Sequence, residues 1–336
     1  MASIVGASQV GARVFTASSA NGLLYMHEML HWAAGSRLPV VLACVNRGVG
    51  APWTILNDQQ DSIAQRDTGW IQLYCRNNQE VLDTIIQAYR VAEQALIPVM
   101  VCYDGFVLSH TNMPVEVPSQ ADVDGFLPRW QGQGLLEPEH FVNLNPLILS
   151  EPRPDAQGNV MPGYMELRHR LHEDIVASLA VIQQTDHEFQ QAFGRGWGGL
   201  LWSYRMDDVE HALVSMGSLA LEATGAADSL RTQGLRTGVI GVRAYRPFPA
   251  SALAQALACV KTVTVFEKDV SYGYAGALAT DLKAALFDAG ISVKFSGFVA
   301  VLGGRDVAAD QIAQAATDAI LNEPRYGWVD VRGASA

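Results

Sequence analysis

Short apolar runs and longer amphipathic stretches alternate along this chain. The runs Leu38 to Val45, Gly69 to Cys75 and Ile97 to Tyr103 are nearly continuous in apolar residues. Strands buried on both faces of a parallel sheet carry that pattern, whereas half-exposed strands alternate. A shorter run, Arg13 to Ala17, predicts another strand. Between the runs, apolar residues recur three and four apart. Leu23, Met26, Leu30 and Ala33 form one such stripe on a helix from Leu23 to Ala34, which Gly35 stops. Val81, Ile85, Ala88 and Ala92 form another, on a helix from Asn77 to about Leu96. Residues 2–12 are small and apolar, and read as a tightly packed helix. That predicts a natural domain beginning upstream of Met1.

The pattern changes after His110. Pro114, Pro118, Pro128, Pro138, Pro146, Pro152 and Pro154 break any long element across 111–160, which predicts an arm draped over a surface. Met165 to Phe193 then reads as one long helix. A second alternation follows, with strands at 212–216, 238–243, 262–266 and 291–300. Helices are expected at 217–230, up to Ala258, at 276–289 and at 308–321. Strand and helix alternate in both blocks, so the fold class is doubly wound α/β. The expected division is 1–110, 111–205 and 206–336.

Hydrophobic residues make up 49% and charged residues 17% of the 336, enough apolar surface for large cores and for buried subunit faces. The net charge of −11, without any Lys/Arg-rich run, argues against nucleic-acid binding. The first residues lack the basic start of a signal peptide, and no stretch is apolar for long enough to span a bilayer. Cys44, Cys75, Cys102 and Cys259 include no C-x-x-C pair. They read as buried free thiols in a reducing cytoplasm, not as ligands of a metal or an iron–sulfur cluster.

Few residues suggest chemistry on their own. Arg47 is the first charge beyond the Leu38–Val45 run, where ligands sit in open α/β sheets. It is open to two readings: a brace clasping Asp58 or Asp61, or a clamp on a substrate carboxylate, whose two oxygens fit a guanidinium fork. Asn57-Asp58-Gln59-Gln60-Asp61 matches no metal signature and reads as loop structure. Ser109 and His110 lack a G-x-S-x-G elbow, and neighbours on an extended chain point apart, so His110 is taken as structural or interfacial. Ser215 to Ser218 reads as a tight strand–helix turn. Gly194 to Gly199 follows a helix instead of opening one, and is taken as a hinge. His27-Glu28-x-x-His31 has the zincin spacing, but Met26, Met29 and Trp32 surround the pair.

Together these segments resemble a known family. They are G-A-R-V-F-T-A-S-S-A-N-G-L (11–23), M-H-E (26–28), L-P-V-V (38–41), N-R (46–47), N-D-x-x-D (57–61), D-T-G-W-I-Q (67–72) and D-G-F-x-x-S-H (104–110), followed by M-P-V-E-V-P (113–118), S-M-G-S (215–218), V-R-A-Y-R-P-F-P (242–249) and G-G-R-D-V (303–307). In that order, over nearly the whole chain, they resemble the α subunit of pyruvate-type 2-oxoacid:ferredoxin oxidoreductases. The family carries M-H-E without zinc, which removes the zincin reading.

The resemblance implies a pyrimidine-type thiamine-diphosphate domain followed by a transketolase C-terminal-like α/β domain. It implies thiamine diphosphate shared with a β subunit that holds magnesium, iron–sulfur clusters on partner subunits, and coenzyme A as co-substrate. Further γ- and δ-type subunits and ferredoxin or NAD as acceptor complete the expected complex. Arg47 falls on the family's substrate arginine. No position here matches the family's Y-P-I-T-P-type turn or the glutamate that activates the aminopyrimidine. The substrate is expected to be pyruvate or a larger 2-oxoacid such as phenylglyoxylate, with Trp53 and Trp70 as candidates to line a wider pocket. The alternative is a non-catalytic subunit that completes a partner's thiamine site.

Overall fold

The structure is a computed structural model and describes residues 1–132, 150–154, 158 and 160–333. The expected prolines Pro138 and Pro146 lie outside the described residues.

The first block opens with α1 (Ala2–Gln9), β1 (Val14–Ser18), α2 (Ala20–Tyr25), α3 (His27–Gly35) and β2 (Val40–Asn46). A short α4 (Gln60–Ile63), β3 (Ile71–Tyr74), α5 (Asn78–Ala95) and β4 (Val99–Asp104) follow. The expected single helix over 23–34 is broken at Met26, so His27 opens α3, where its ring meets that of His31 edge-on at 4.9 Å. α1 is also less buried than expected. Only Val5 and Ser8 are buried in it, while Ala2, Ser3 and Gly6 face outward. Its small residues pack on one side only.

The arm carries α6 (Gln120–Phe126) and a two-residue pair, β5 (Arg153–Pro154) and β6 (Val160–Met161). α7 (Tyr164–Phe193) is the expected long helix. It lies on α5, where Ile182 joins Val91 and Ala92 in one core and Phe189 is edge-on to Phe126. The second block contains β7 (Leu201–Tyr204), β8 (His211–Met216), α8 (Gly217–Thr232), β9 (Thr237–Val242) and β10 (Ala244–Arg246). It ends with α9 (Ala250–Leu257), β11 (Thr262–Glu267), α10 (Ala277–Asp288), β12 (Lys294–Val299), α11 (Ala309–Leu321) and β13 (Tyr326–Trp328).

Both sheets are mostly parallel, as the continuous apolar runs require. The first has the order β1-β2-β4-β3-β10 and the second β13-β12-β11-β8-β9-β7. Two strands cross the division expected from sequence. β7 precedes residue 206 yet pairs antiparallel with β9 at the edge of the second sheet. β10 comes from the second block and pairs antiparallel with β3 in the first sheet. One hydrophobic cluster accordingly runs through both blocks, from Leu42 and Tyr74 to Val214, Tyr245 and Leu278.

A buried ion pair reinforces this seam. Arg243 and Glu80 are both fully buried, 3.1 Å apart. The other guanidinium nitrogens donate to Gly199 O, Thr84 Oγ1 and Gln87 Oε1, so every face of the charge is met. Burial still raises the Glu80 carboxyl above its ordinary value, with Arg243 and Arg76 pulling against it. Desolvation and pairing are nearly matched in such a pair, so removing one partner costs far more than removing both.

At the end of β11, α10 points its N-terminus at two carboxylates. Glu267 accepts from Leu278 N, and Asp269 from Ala277 N. Gly276 leaves the room, since a Cβ there would overlap the Glu267 carboxyl. Burial pushes Asp269 up to about 6, with Ala277 N–H and Arg66 pulling down and Asp281 pushing up.

Arg243→Met is expected to cost about 3–5 kcal/mol in chemical unfolding, because Glu80 keeps a buried charge with only Arg76 beside it. Adding Glu80→Met should recover most of that loss, and a single mutant of wild-type stability would show that the pair is dispensable. For Asp269 the sign follows from its raised value. Between about pH 4 and 6 the folded chain holds a proton that the unfolded chain releases, so stability falls as pH rises through that window. Asp269→Asn should therefore unfold at a higher temperature than wild type at pH 8. The gain should shrink as pH is lowered towards 4, and a pH-independent difference would refute the assignment.

Candidate functional site

The strands β1, β2 and β4 run parallel and end side by side, and their C-terminal ends carry the candidate site. Asp61, on the short α4, organises these ends. Its carboxylate is fully buried and accepts from Ala20 N (2.7 Å), Asn46 Nδ2 (2.7 Å), Arg47 N (3.1 Å) and Ser62 N (2.8 Å). Ala20 follows β1, while Asn46 and Arg47 close β2. One side chain thus fixes where two strands stop. Ala20 sits at φ +47, an uncommon conformation for a non-glycine residue that is held here by its hydrogen bond to Asp61. Burial raises the Asp61 carboxyl, and the four donors offset part of that rise.

Arg47 emerges from this frame half-buried. It does not clasp Asp58 or Asp61 with its side chain, so the brace reading is overturned. The bond to Asp61 comes from the Arg47 backbone. In the side chain, Nε donates to Ser19 Oγ at 2.9 Å, and among the described residues no carboxylate pairs with the guanidinium. The stem lies over Gly105, where a Cβ would stand 2.9 Å from Arg47 Cγ and 2.7 Å from Asn46 O. The result is a held cation whose terminal nitrogens meet no carboxylate among the described residues.

The loop after Arg47 closes on itself through Gly48 N to Leu56 O, 2.9 Å. Gly50 N donates to Asn21 Oδ1 at 3.1 Å. The second block holds its far side, with Gly304 N donating to Asn57 O (2.7 Å) and Gln59 N to Lys268 O (2.8 Å). Asn57 to Gln59 is thus loop, and Gln60 and Asp61 open α4, where the pattern suggests loop throughout. Burial pushes Asp58 up to about 6, opposed by the N–H of Gln60 and assisted by Asp61.

Sequence reasoning missed the junction beneath the site. Lys268 and Asp104 are both 2% exposed and 3.0 Å apart. Ser218 Oγ accepts from Lys268 Nζ at 2.9 Å and donates to Asp104 in a short hydrogen bond. Burial acts to raise the Asp104 carboxyl, but Lys268, Ser218 and Asn57 outweigh it and hold the value below the ordinary range. The turn Ser215–Ser218 is therefore both a strand–helix turn and a contact across the two sheets. Its signal in the sequence was Lys268-Asp269 directly after an apolar strand, at a depth where charge needs a partner.

Other candidates fall elsewhere. Ser109 and His110 do meet, with Ser109 Oγ 2.8 Å from His110 Nδ1, because 104–110 is a turn and not the extended chain expected. The pair is exposed, and His110 stacks on Phe106. Gly194–Gly199 does cradle an anion, the chain's own Asp186, which accepts from the N–H groups of Trp197, Gly198 and Gly199 at 2.9–3.0 Å. His27 bonds Gln65 at 2.6 Å, and no cluster of metal-ligating residues occurs among the described residues. Trp70 is buried in the core with Nε1 on Leu30 O, and Trp53 is 75% exposed. Cys44, Cys75 and Cys102 are buried free thiols, but Cys259, just past α9, is exposed. No helix among the described residues is long and apolar enough to cross a membrane.

Asp61→Asn places an amide NH2 against N–H donors that now face a carboxylate oxygen. It is expected to cost about 2–4 kcal/mol in unfolding, since at least one buried donor goes unmet. Wild-type stability would show that the strand ends are held by something else.

Comparison with known proteins agrees with this layout. The family described as pyruvate flavodoxin/ferredoxin oxidoreductase, thiamine diphosphate-binding, matches residues 1–173, and pyruvate:ferredoxin oxidoreductase core domain II matches 209–312. The pyruvate synthase subunit PorA of Methanothermobacter thermautotrophicus is 40% identical, over 100% of this chain and 84% of that protein. That of Pyrococcus abyssi is 43% identical, over 94% and 78%. The ketoisovalerate oxidoreductase subunit VorA of Pyrococcus horikoshii is 40% identical, over 95% and 78%. Among solved structures, the 2-oxoglutarate:ferredoxin oxidoreductase of Magnetococcus marinus aligns with TM-score 0.65 at 19% identity, over 95% of this chain and 55% of that one. A split-gene transketolase aligns with TM-score 0.51 at 14% identity, over 95% and 80%. These two show the fold, a thiamine-diphosphate-type domain followed by a transketolase C-terminal-like domain. The chain belongs to the thiamine-diphosphate-dependent 2-oxoacid:ferredoxin oxidoreductases, as an α subunit.

Proposed function

We propose that this subunit binds the carboxylate of a small 2-oxoacid through Arg47, in a complex that decarboxylates the acid oxidatively and delivers the acyl group to coenzyme A. The supporting observation is the Arg47 guanidinium, held at Nε and over its stem, with no carboxylate on its terminal nitrogens among the described residues. A fork anchored in this way presents two parallel donors to two carboxylate oxygens. Its contribution is to place the acid before reaction, because the carboxylate leaves as carbon dioxide.

The site's residues fit the acid end of a substrate lying beside thiamine diphosphate. When bound, that cofactor takes up the electron pair released by decarboxylation. The local carboxylates are otherwise engaged. Asp61 holds four donors, and Asp104 holds Lys268 and Ser218. Neither is free to act on an aminopyrimidine, so this reading assigns cofactor activation to residues other than these. On the same reading, residues 1–110 supply the pyrimidine-binding half and 206–336 the transketolase-like domain, joined by 111–205.

The remaining components rest on the relatives. The Magnetococcus structure contains coenzyme A and succinyl-CoA, which supports coenzyme A as the acyl acceptor. The subunit names of the relatives support a multisubunit complex. In it, a β subunit would hold the magnesium diphosphate, and γ- and δ-type subunits the iron–sulfur clusters that pass electrons to ferredoxin. Pyruvate and a branched 2-oxoacid are the substrates those names favour. Buried free thiols support a reducing cytoplasm.

In the assembled complex, Arg47→Ala is expected to lower kcat/KM for the 2-oxoacid by about a hundredfold or more while Tm stays near wild type. Unchanged turnover would remove Arg47 from the substrate site. Comparing pyruvate, 2-oxoisovalerate and phenylglyoxylate in the same assay identifies the acid.

A further inference from the structure

We infer that Ser19 is a positioning residue for Arg47, holding Nε so that both terminal nitrogens remain for the substrate carboxylate. The inference rests on the carboxylate-clamp reading above. Ser19 occupies the N-cap of α2, where a serine oxygen ordinarily accepts from the helix's own N–H groups. Here the side chain caps nothing. The Ala20 N–H goes to Asp61, and the Ser19 hydroxyl accepts from Arg47 Nε at 2.9 Å. A residue type suited to capping has been turned towards the guanidinium instead.

The geometry explains what that contact achieves. An arginine side chain has several rotatable bonds, and a free one loses that freedom when it binds a ligand. The stem packs closely on the Gly105 backbone, an approach that a Cβ there would block by standing 2.9 Å from Arg47 Cγ. Ser19 confines the head. Nε carries a single hydrogen, so once Ser19 accepts it the remaining donors all lie on the two terminal nitrogens. The plane of the fork is then set before the acid arrives. Because Ser19 makes no cap bond, removing its hydroxyl takes nothing from α2 itself.

The test uses the assembled oxidoreductase, measuring kcat, KM for the 2-oxoacid and Tm for wild type, Ser19→Ala, Ser19→Thr and Arg47→Ala. Ser19→Ala should raise KM about tenfold, the scale of one hydrogen bond to a charged group, with Tm unchanged. Ser19→Thr restores the hydroxyl and should restore KM. Wild-type KM in Ser19→Ala, with activity lost in Arg47→Ala, overturns the inference and leaves the clamp intact. Wild-type kcat/KM in Arg47→Ala overturns the clamp and the inference with it. A fall in Tm for Ser19→Ala that Ser19→Thr does not repair assigns a structural role and also overturns the inference.

Discussion

The Asp61 carboxylate is the constraint on which this site depends. A buried carboxylate is costly unless its oxygens are met, and here four N–H groups meet them. Three of those donors belong to the ends of β1 and β2, so satisfying one charge sets the geometry of two loops. Arg47 inherits its place from that arrangement. Its backbone N–H is one of the four donors, and its side chain leaves the strand end already aimed. The half-buried cation can stay uncommitted because the nearby acids have other partners.

A second set of buried charges joins the sheets. Arg243 reaches from the end of β9 to Glu80 on α5, and Lys268 reaches from the end of β11 to Asp104 at the end of β4. Both pairs link the first block to the second. Each is closed by further hydrogen bonds, which is the condition for burying charge at tolerable cost. Asp104 is followed directly by Gly105, the residue beneath the Arg47 stem. The seam and the site therefore share a turn.

Much of the fold was legible because burial on both faces of a parallel sheet forces continuous apolar runs. The runs containing Val41, Val99, Val214 and Val265 all became central strands. β10 was not legible, since three residues beside a proline carry no periodicity. Arg243 and Lys268 looked like ends of strands, and only tertiary pairing reveals them as buried. Arg47 stood out by position, but ruling out the brace required knowing that Asp61 takes its backbone N–H and Ser19 its Nε. Ser109 and His110 point apart on an extended chain, but the turn at 105–109 brings them together. The break at Met26 was hidden by a stripe that continues across it. Cys259 was grouped with three buried thiols although it lies outside any strand.

The strand β10 has one more consequence. Its Ala244 and Arg246 register with Leu73 and Gln72 of the first sheet, although the chain on either side belongs to the second block. Severed from the second block, the first sheet would present β3 as an open edge, the kind of edge that invites pairing with other chains. The two blocks are thus unequal as modules. A recombination event that exchanged the second block whole would carry away part of the first sheet. Inheritance of the two halves is tied together by a three-residue strand that faces the wrong way.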